Sequence, residues 1–229
     1  MVATSRLAGE RPGPDDGAGA RHRQVAVLVV IFTVDAGRLH VLLIRRSAPP
    51  FKGSWSLPGG LLNPRESLDD AAVRKLDEET GVTDVFLEQL YTFSNLDGRG
   101  SVAVAYFALV DMQRTHLAQR RDWPPAWFPV SDTPPLAFRN EVVVDYALRR
   151  LRAKLGYSNV AYSLLPAEFS LSELQRTYEA ILGRALDKRN FRKRVISLRL
   201  VEPTGRRASE GRHRPAQLYR FRERRPVVF

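Results

Sequence analysis

Apolar residues along the first half of the chain form short runs that predict strands. Residues 24–34 are rich in Val and Ile without polar alternation, which predicts a strand covered on both faces. A turn at residues 35–37 separates it from a second predicted strand at residues 39–44. Two further strands are predicted at residues 85–94 and 101–110.

A helix is predicted between these strands, at residues 67–80. Ser67 is suited to cap its first turn, and Gly81 is suited to end it. Its predicted buried residues are Ala71, Ala72, Val73 and Leu76.

A second amphipathic helix is predicted at residues 141–155, with Asn140 as its N-cap. Its apolar stripe is spaced at i, i+4, i+7 and i+11, which favours one buried face. The stripe consists of Val144, Leu148, Leu151 and Leu155.

The last part of the chain predicts two helices, a tight turn and a hairpin. A capping box from Ser170 to Glu173 begins a helix that ends at Gly183, and Asp187 can cap another through about Leu198. Strands are predicted at residues 199–202 and 217–221, and they flank a basic segment. This order of elements predicts a winged helix.

Charge separates the chain into two parts. Residues 1–150 contain 18 Lys and Arg against 18 Asp and Glu, whereas residues 151–229 contain 18 against 7, so the second part supplies the whole net charge of +11. A basic domain favours a polyanion as partner, and nucleic acid is the usual one. A basic surface that serves solubility alone is the alternative.

Composition excludes several classes of protein. The chain has no cysteine, which excludes disulfides, thiolate metal sites and a thiol nucleophile. Its longest apolar run is too short to cross a bilayer, and residues 1–22 lack the apolar core of a targeting peptide. We therefore expect a disordered tail at residues 1–22 and a cytoplasmic protein without a membrane partner.

Residues 59–82 contain the most specific sequence pattern in the chain. Gly60 is followed at fixed spacing by Glu66, Arg74, Glu78 and Glu79. This pattern resembles the Nudix box, whose glutamates hold Mg²⁺ for hydrolysis of a pyrophosphate. A helix that is merely rich in surface charge is the alternative.

Lys75 occupies the one box position that departs from the pattern, where the family has a glutamate. A lysine at position 75 can pair with Glu79 at i+4, repel a metal ion and accept no proton while it is charged. Asp77 cannot replace the missing carboxylate because it points about 200° away around the helix. We therefore predict weak or absent hydrolysis, with Glu78 and Glu79 as weak metal ligands at most and Mg²⁺ possible but not required.

The surroundings narrow the resemblance. Residues 89–93, 97–100, 105–108 and 126–130 look like the ADP-ribose pyrophosphatase branch of the Nudix superfamily. The tail segments look like the NrtR family, the Nudix-related transcriptional regulators of NAD metabolism, and this resemblance covers about residues 23–222. The tail segments are residues 162–166, 174–178, 186–195 and 214–219.

The resemblance implies an α+β fold in which a Nudix α/β/α sandwich with a mixed sheet precedes a winged helix. It also implies a repressor of NAD biosynthesis or salvage genes that binds double-stranded operator DNA as a homodimer. ADP-ribose, or a related NAD-derived nucleotide, would release the DNA. The expected division is a tail at 1–22, a ligand-sensing domain at 23–140, a connecting helix at 141–155 and a DNA-binding domain at 156–229.

Two sets of residues are expected to form the sites. Residues 187–198 are expected to form the recognition helix, with Phe191, Val195 and Leu198 facing the core. The expected DNA contacts are Lys188, Arg189, Asn190, Arg192, Lys193 and Arg194 on the helix, with Arg206, Arg207, Arg212 and Arg214 on the wing. The expected ligand contacts are Arg46, Gly59, Gly60, Glu66, Arg74, Glu78, Glu79 and Arg99.

Two other functions remain open at this point. The first is an active ADP-ribose or nucleotide-sugar hydrolase with an accessory basic domain, which Lys75 disfavours. The second is an RNA-binding Nudix protein, which a winged helix disfavours because it suits duplex DNA better than single strands.

Overall fold

The computed structural model describes residues 24–83, 85, 87–98, 100–112, 115, 117, 125–208 and 215–229. The expected tail at residues 1–22 lies outside these ranges. The described chain forms a seven-stranded mixed sheet with a helix on each face, followed by a three-stranded sheet with two helices. This is the α+β architecture that the sequence predicts.

The long first strand lies at the centre of the larger sheet. Its strands are β1 (Val25–Asp35), β2 (Arg38–Arg45), β3 (Trp55–Ser56), β4 (Gly59–Leu61), β5 (Leu87–Ser94), β6 (Val102–Leu109) and β7 (Pro125–Pro129). Strand β1 pairs in parallel with β6 and antiparallel with β2 and β4, while β5 pairs with β6 and both β3 and β7 pair with β2.

Helices cover both faces of this sheet. They are α1 (Leu68–Thr80) and α2 (Asn140–Lys154). Val29 and Ile31 of β1 share a buried cluster with α1, whereas Val30 and Phe32 share one with α2. The prediction that this strand is covered on both faces is therefore confirmed.

Helix α1 begins and ends as predicted. The Ser67 hydroxyl accepts a hydrogen bond from the Asp70 amide at 3.1 Å, and Gly81 closes the helix in the left-handed conformation with φ of 74°. Ala71, Ala72 and Leu76 are buried, but the expectation for Val73 is wrong, since 57% of it is exposed. Val73 lies at the edge of the face that these buried residues define.

Helix α2 differs from its prediction at its first residue. Asn140 lies inside the helix rather than capping it, and the flanking Arg139 provides no side-chain cap. The Asn140 Oδ1 atom instead accepts a hydrogen bond from the Leu57 amide at 2.9 Å, which joins the helix to the loop after β3. The buried face is otherwise close to the predicted stripe and consists of Val143, Val144, Ala147, Leu151 and Leu155, with Leu148 partly buried.

Strand β7 is an element that the sequence pattern does not predict. It pairs antiparallel with β2, and Phe128 lies opposite Val41. The strand begins and ends with proline, a residue that argues against a strand in the sequence pattern. A proline lacks the amide hydrogen for a ladder, but it is tolerated where one side of a strand is unpaired.

The C-terminal part is a winged helix, as predicted. Its elements are β8 (Phe169–Ser170), α3 (Leu171–Leu182), α4 (Lys188–Ser197), β9 (Val201–Ala208) and β10 (Ala216–Phe221). The capping box at Ser170, the left-handed Gly183 and the Asp187 cap are all confirmed. Strand β9 continues past Pro203, where the prediction ends, because β10 is the central strand and β9 lies at the edge.

The two sheets share a continuous core through α2. Leu151 belongs to one buried cluster with Phe32 of the large sheet and with Leu174 and Ile181 of α3. Polar contacts reinforce this packing near the end of α2, where the Lys154 ammonium lies 2.6 Å from the Glu88 carboxylate of β5. Among the helices described here, none has the length and apolarity needed to cross a membrane.

Candidate ligand cavity and nucleic-acid interface

A cavity of about 640 Å³ opens beside β1 and β4. Its walls come from the loop after β2, from the glycine pair of the box and from the residues at the start of α2. They include Arg46, Phe51, Ser56, Leu57, Gly59, Gly60, Phe138 and Asn140. This volume is in the usual range for small-molecule and cofactor sites.

The glycine pair shapes the floor of the cavity because no side chain fits there. A Cβ atom on Gly59 would lie 2.3 Å from the Val27 carbonyl oxygen of β1, and one on Gly60 would lie 2.7 Å from the Lys75 side chain. Both glycines therefore allow close approach of β4 to its neighbours. Of the expected ligand contacts, Arg46, Gly59 and Gly60 line this cavity.

Glu66 and Arg74 form a two-point ion pair. The Arg74 Nε and Nη2 atoms donate to the two Glu66 carboxylate oxygens at 2.6 and 2.7 Å. The bond from Arg74 is the main reason that the pKa of Glu66 is lowered to about 2. The pair ties the loop before α1 to the helix.

Lys75 pairs with a different glutamate from the one expected. Its ammonium lies 3.0 Å from the Glu78 carboxylate, which also accepts from Arg74 at 3.2 Å. The expected ion pair between Lys75 and Glu79 is absent from the described contacts, because Glu79 turns inward beneath β4. Burial acts to raise the pKa of Glu78, but the bonds from Lys75 and Arg74 outweigh it and the net pKa is lowered.

Glu79 is almost fully buried against the glycine pair. Only 8% of it is exposed, and its Oε2 atom accepts a hydrogen bond from the Gly59 amide at 2.7 Å. Burial raises the pKa of Glu79 to about 7, although the Gly59 bond and the charge of Lys75 act in the opposite direction. The residue therefore couples α1 to the cavity floor and titrates close to neutral pH.

Each of the three box carboxylates has a partner within the protein. Within the described part of the chain, no group of three or more acidic or histidine side chains is arranged to hold a metal ion. Glu66 and Glu78 are engaged by cations, and Glu79 is held by a backbone amide. Mg²⁺ is usually held by one or two carboxylates together with waters and substrate phosphates, so a metal ion at Glu78 or Glu79 would have to compete with these existing partners.

The Phe138 ring, in contact with Arg46 and Phe51, forms one wall of the cavity. The Arg46 guanidinium lies 4.7 Å from the centre of the Phe138 ring, and the Phe51 ring meets Phe138 edge-on at 4.9 Å. Burial lowers the pKa of Arg46, and the charge of Glu79 opposes this effect. The expected contact Arg99 lies outside the described residues.

Two buried polar groups beside the cavity lack a partner. They are the Asn140 Nδ2 atom and the Ser56 Oγ atom, and both residues line the cavity. Sequence reasoning missed them, because an asparagine at the start of a helix pattern reads as a cap and an isolated serine has no distinguishing pattern.

The exposed face of α4 carries five of the six nucleic-acid contacts that the sequence predicts on this helix. Phe191 and Val195 are buried as predicted, and the opposite face is open to solvent. The exposed residues are Lys188, Arg189, Asn190, Lys193 and Arg194. The expectation for Leu198 is wrong, since 37% of it is exposed; α4 ends at Ser197 and the chain turns away there.

Arg192 and Arg194 make contacts within the protein. Arg192 is partly buried and donates to the Ser172 hydroxyl of α3 at 3.3 Å, so it faces α3 rather than solvent. Arg194 donates to the Gly156 carbonyl at 2.9 Å while remaining exposed. On the wing, Arg206 and Arg207 are exposed on β9. Arg212 and Arg214 lie outside the described residues.

Comparison with known protein families identifies two adjoining domains. The NUDIX domain family matches residues 22–162, and the NrtR DNA-binding winged helix domain matches residues 161–221. Over 204 residues the chain is 40% identical to the ADPR responsive transcriptional repressor NtrR of Acinetobacter baylyi. That alignment covers 86% of this chain and 81% of the relative.

Solved structures agree with these matches. Shewanella oneidensis NrtR complexed with a 27mer DNA is 38% identical, with a TM-score of 0.76 over 86% of this chain and 93% of that one. The NUDIX domain of the same protein complexed with ADP ribose is also 38% identical, with a TM-score of 0.53 over 60% of this chain and 94% of that one.

The raised pKa of Glu79 predicts a pH-dependent stability. The folded state binds the Glu79 proton more tightly than the unfolded state does. Protonation of Glu79 therefore stabilises the fold fully below pH 4.5, and this stabilisation is lost as the pH rises towards about 7. The Glu79→Gln variant keeps an acceptor for Gly59 but does not titrate. Its free energy of unfolding, relative to that of the wild type, should therefore rise by about 2 kcal/mol as the pH is raised from 5 to 8. Urea denaturation of both proteins measures this gain, and a difference that is constant over this range would contradict the prediction.

Proposed function

Because the chain belongs to the NrtR family, which joins a NUDIX domain to a winged helix, we propose that it is a transcriptional repressor released from operator DNA by ADP-ribose. One observation carries the proposal: a nucleotide-sized cavity and an exposed cationic recognition helix are joined by a continuous core. A hydrolase needs only the cavity. The genes controlled would be those of NAD biosynthesis or salvage.

The geometry supports binding of a dinucleotide-like ligand without hydrolysis. Gly59 and Gly60 allow a ligand to approach the backbone, and Arg46 supplies a cation at the cavity wall. Lys75 lies behind Gly60 as a fixed positive charge, in the part of the box that the family uses for Mg²⁺. An ammonium can offset phosphate charge, but it cannot polarise a water molecule as a metal ion does.

DNA recognition is assigned to one face of α4. Arg189 and Asn190 would read guanine and adenine edges in the major groove, while Lys188, Lys193 and Arg194 would make base or phosphate contacts. Arg192 is assigned to packing against α3. The wing arginines Arg206, Arg207, Arg212 and Arg214 would contact phosphates or a narrow minor groove.

Two copies would act together in the cytoplasm. One chain presents one recognition helix, and a palindromic operator offers two equivalent half-sites, so a homodimer fits both. Light scattering of the purified chain should therefore give twice the mass of 25.9 kDa.

The central test is release of DNA by ADP-ribose. A labelled duplex selected by the full chain from a random-sequence pool should bind with a steep dependence on salt, because phosphate contacts displace counterions. Saturating ADP-ribose should weaken this binding by about tenfold or more, as measured by fluorescence anisotropy. AMP at equal concentration is the control. Binding that is unaffected by millimolar ADP-ribose would contradict this choice of effector.

The recognition face predicts a graded effect of charge removal on α4. The double variant Arg189→Ala, Lys193→Ala should lose most affinity for the selected duplex, because both side chains are exposed on the face assigned to the groove. Lys193→Ala and Arg192→Ala each remove one positive charge, which makes them a matched pair. Lys193→Ala should weaken binding by about tenfold and Arg192→Ala by less than about threefold. Equal losses would mean that overall charge, rather than this face, determines binding.

Hydrolysis offers a separate test of the box. The wild type should turn over ADP-ribose with Mg²⁺ far more slowly than about 1 s⁻¹, the lower end of ordinary enzyme rates. Lys75→Glu should raise the rate of hydrolysis. The change removes the ammonium that pairs with Glu78 and adds a carboxylate beside Glu78 and Glu79 on α1. Wild-type turnover in the ordinary range would favour the hydrolase alternative, and an unchanged rate in the variant would show that Lys75 alone does not disable the site.

A further inference from the structure

The first turn of α2 contains a buried amide that is satisfied at only one of its two ends. Asn140 has no exposed surface, and its Oδ1 atom is fixed by the Leu57 amide at 2.9 Å. Its Nδ2 atom has no hydrogen-bond partner. A buried donor without a partner destabilises the conformation in which it occurs. When an acceptor enters the cavity, a conformation in which Nδ2 donates to that acceptor is therefore favoured.

The two residues before Asn140 are held in an uncommon backbone conformation. Phe138 has φ of 56° and Arg139 has φ of 52°, both in the left-handed region that residues other than glycine rarely adopt. Phe138 also forms the cavity wall with Arg46 and Phe51. The wall of the cavity and the first turn of α2 are therefore joined through a strained segment, which is a common property of ligand clamps and switches.

The other end of α2 contacts the winged helix directly. The Arg152 Nε atom donates to the Ile181 carbonyl of α3 at 2.9 Å, and Leu151 lies in the same buried cluster as Ile181. A displacement of α2 must disturb this bond or carry α3 with it, because packed cores shift between discrete arrangements rather than deforming freely.

We propose that Asn140 is the residue through which the ligand acts on the DNA-binding domain. Its Nδ2 atom donates to an oxygen or nitrogen acceptor of ADP-ribose, which draws the first turn of α2 towards the cavity and shifts α3 through Arg152. A ligand can change an equilibrium only by contacts that differ between two states, and this hydrogen bond is such a contact. The inference rests on the proposed function, because it takes ADP-ribose as the occupant of the cavity.

Asn140→Asp tests the proposal, since its ionised carboxylate keeps the acceptor for Leu57 and cannot donate. We expect the selected duplex to bind this variant within about threefold of wild type when ligand is absent. Calorimetry should show affinity for ADP-ribose weakened by about tenfold or more, because the variant loses one buried hydrogen bond and its carboxylate repels the pyrophosphate. At ADP-ribose concentrations that saturate the variant, duplex affinity should fall by less than about threefold, against about tenfold or more in wild type.

Ser56→Ala is the matched control, because the Ser56 hydroxyl is another buried group without a partner that lines the cavity, and it lies on β3 rather than α2. It should bind ADP-ribose more weakly yet release the duplex fully at saturation. If saturated Asn140→Asp releases the duplex as completely as wild type, Asn140 does not transmit binding and only this inference fails. If wild type itself is not released, the choice of ADP-ribose as effector fails and this inference fails with it.

Hydrogen–deuterium exchange on the unaltered protein tests the same step if Asn140→Asp does not fold. ADP-ribose should slow exchange of the amides at residues 138–146, because the first turn of α2 gains a bond to the ligand. Exchange in this segment that is unchanged at saturating ADP-ribose would overturn the proposal.

Discussion

The packing of α2 between the large sheet and the winged helix is the constraint on which the remaining structure depends. Its apolar face completes the core of the sheet, and the same cluster continues into α3 through Leu151. The first residue of α2 lines the cavity, and its last turns contact α3 and β5. One rigid element therefore has the ligand site at one end and the DNA-binding domain at the other.

The changed box is best understood as an exchange of one cation for another. A hydrolase of this family recruits a dication with carboxylates of the box, whereas here the Lys75 side chain supplies an ammonium, which shares the Glu78 carboxylate with Arg74. Glu79 accepts a hydrogen bond from the Gly59 amide and so fastens α1 to the glycine pair. In the function proposed above, this part of the box serves to bind a nucleotide rather than to activate water.

Sequence reasoning succeeds where local chemistry decides structure. The caps at Ser67, Ser170 and Asp187 are set by their own neighbours and are all as predicted. It fails where a distant partner decides. Asn140 looks like a cap, but the Leu57 amide, 83 positions away, takes its side chain. Lys75 pairs with Glu78 rather than Glu79 because Glu79 is buried beneath β4. Arg192 donates to Ser172 because α3 lies beside α4.

The exposed cations of α4 have a consequence for how such a repressor searches the genome. A molecule bound in the cavity changes neither the number nor the sign of these charges, so the attraction to unspecific DNA persists after the operator is vacated. The chromosome offers roughly a million or more such competing sites. A released copy would therefore remain on the duplex and move along it. Once the nucleotide dissociates, the protein could slide along the DNA back to its operator without first diffusing through bulk solvent.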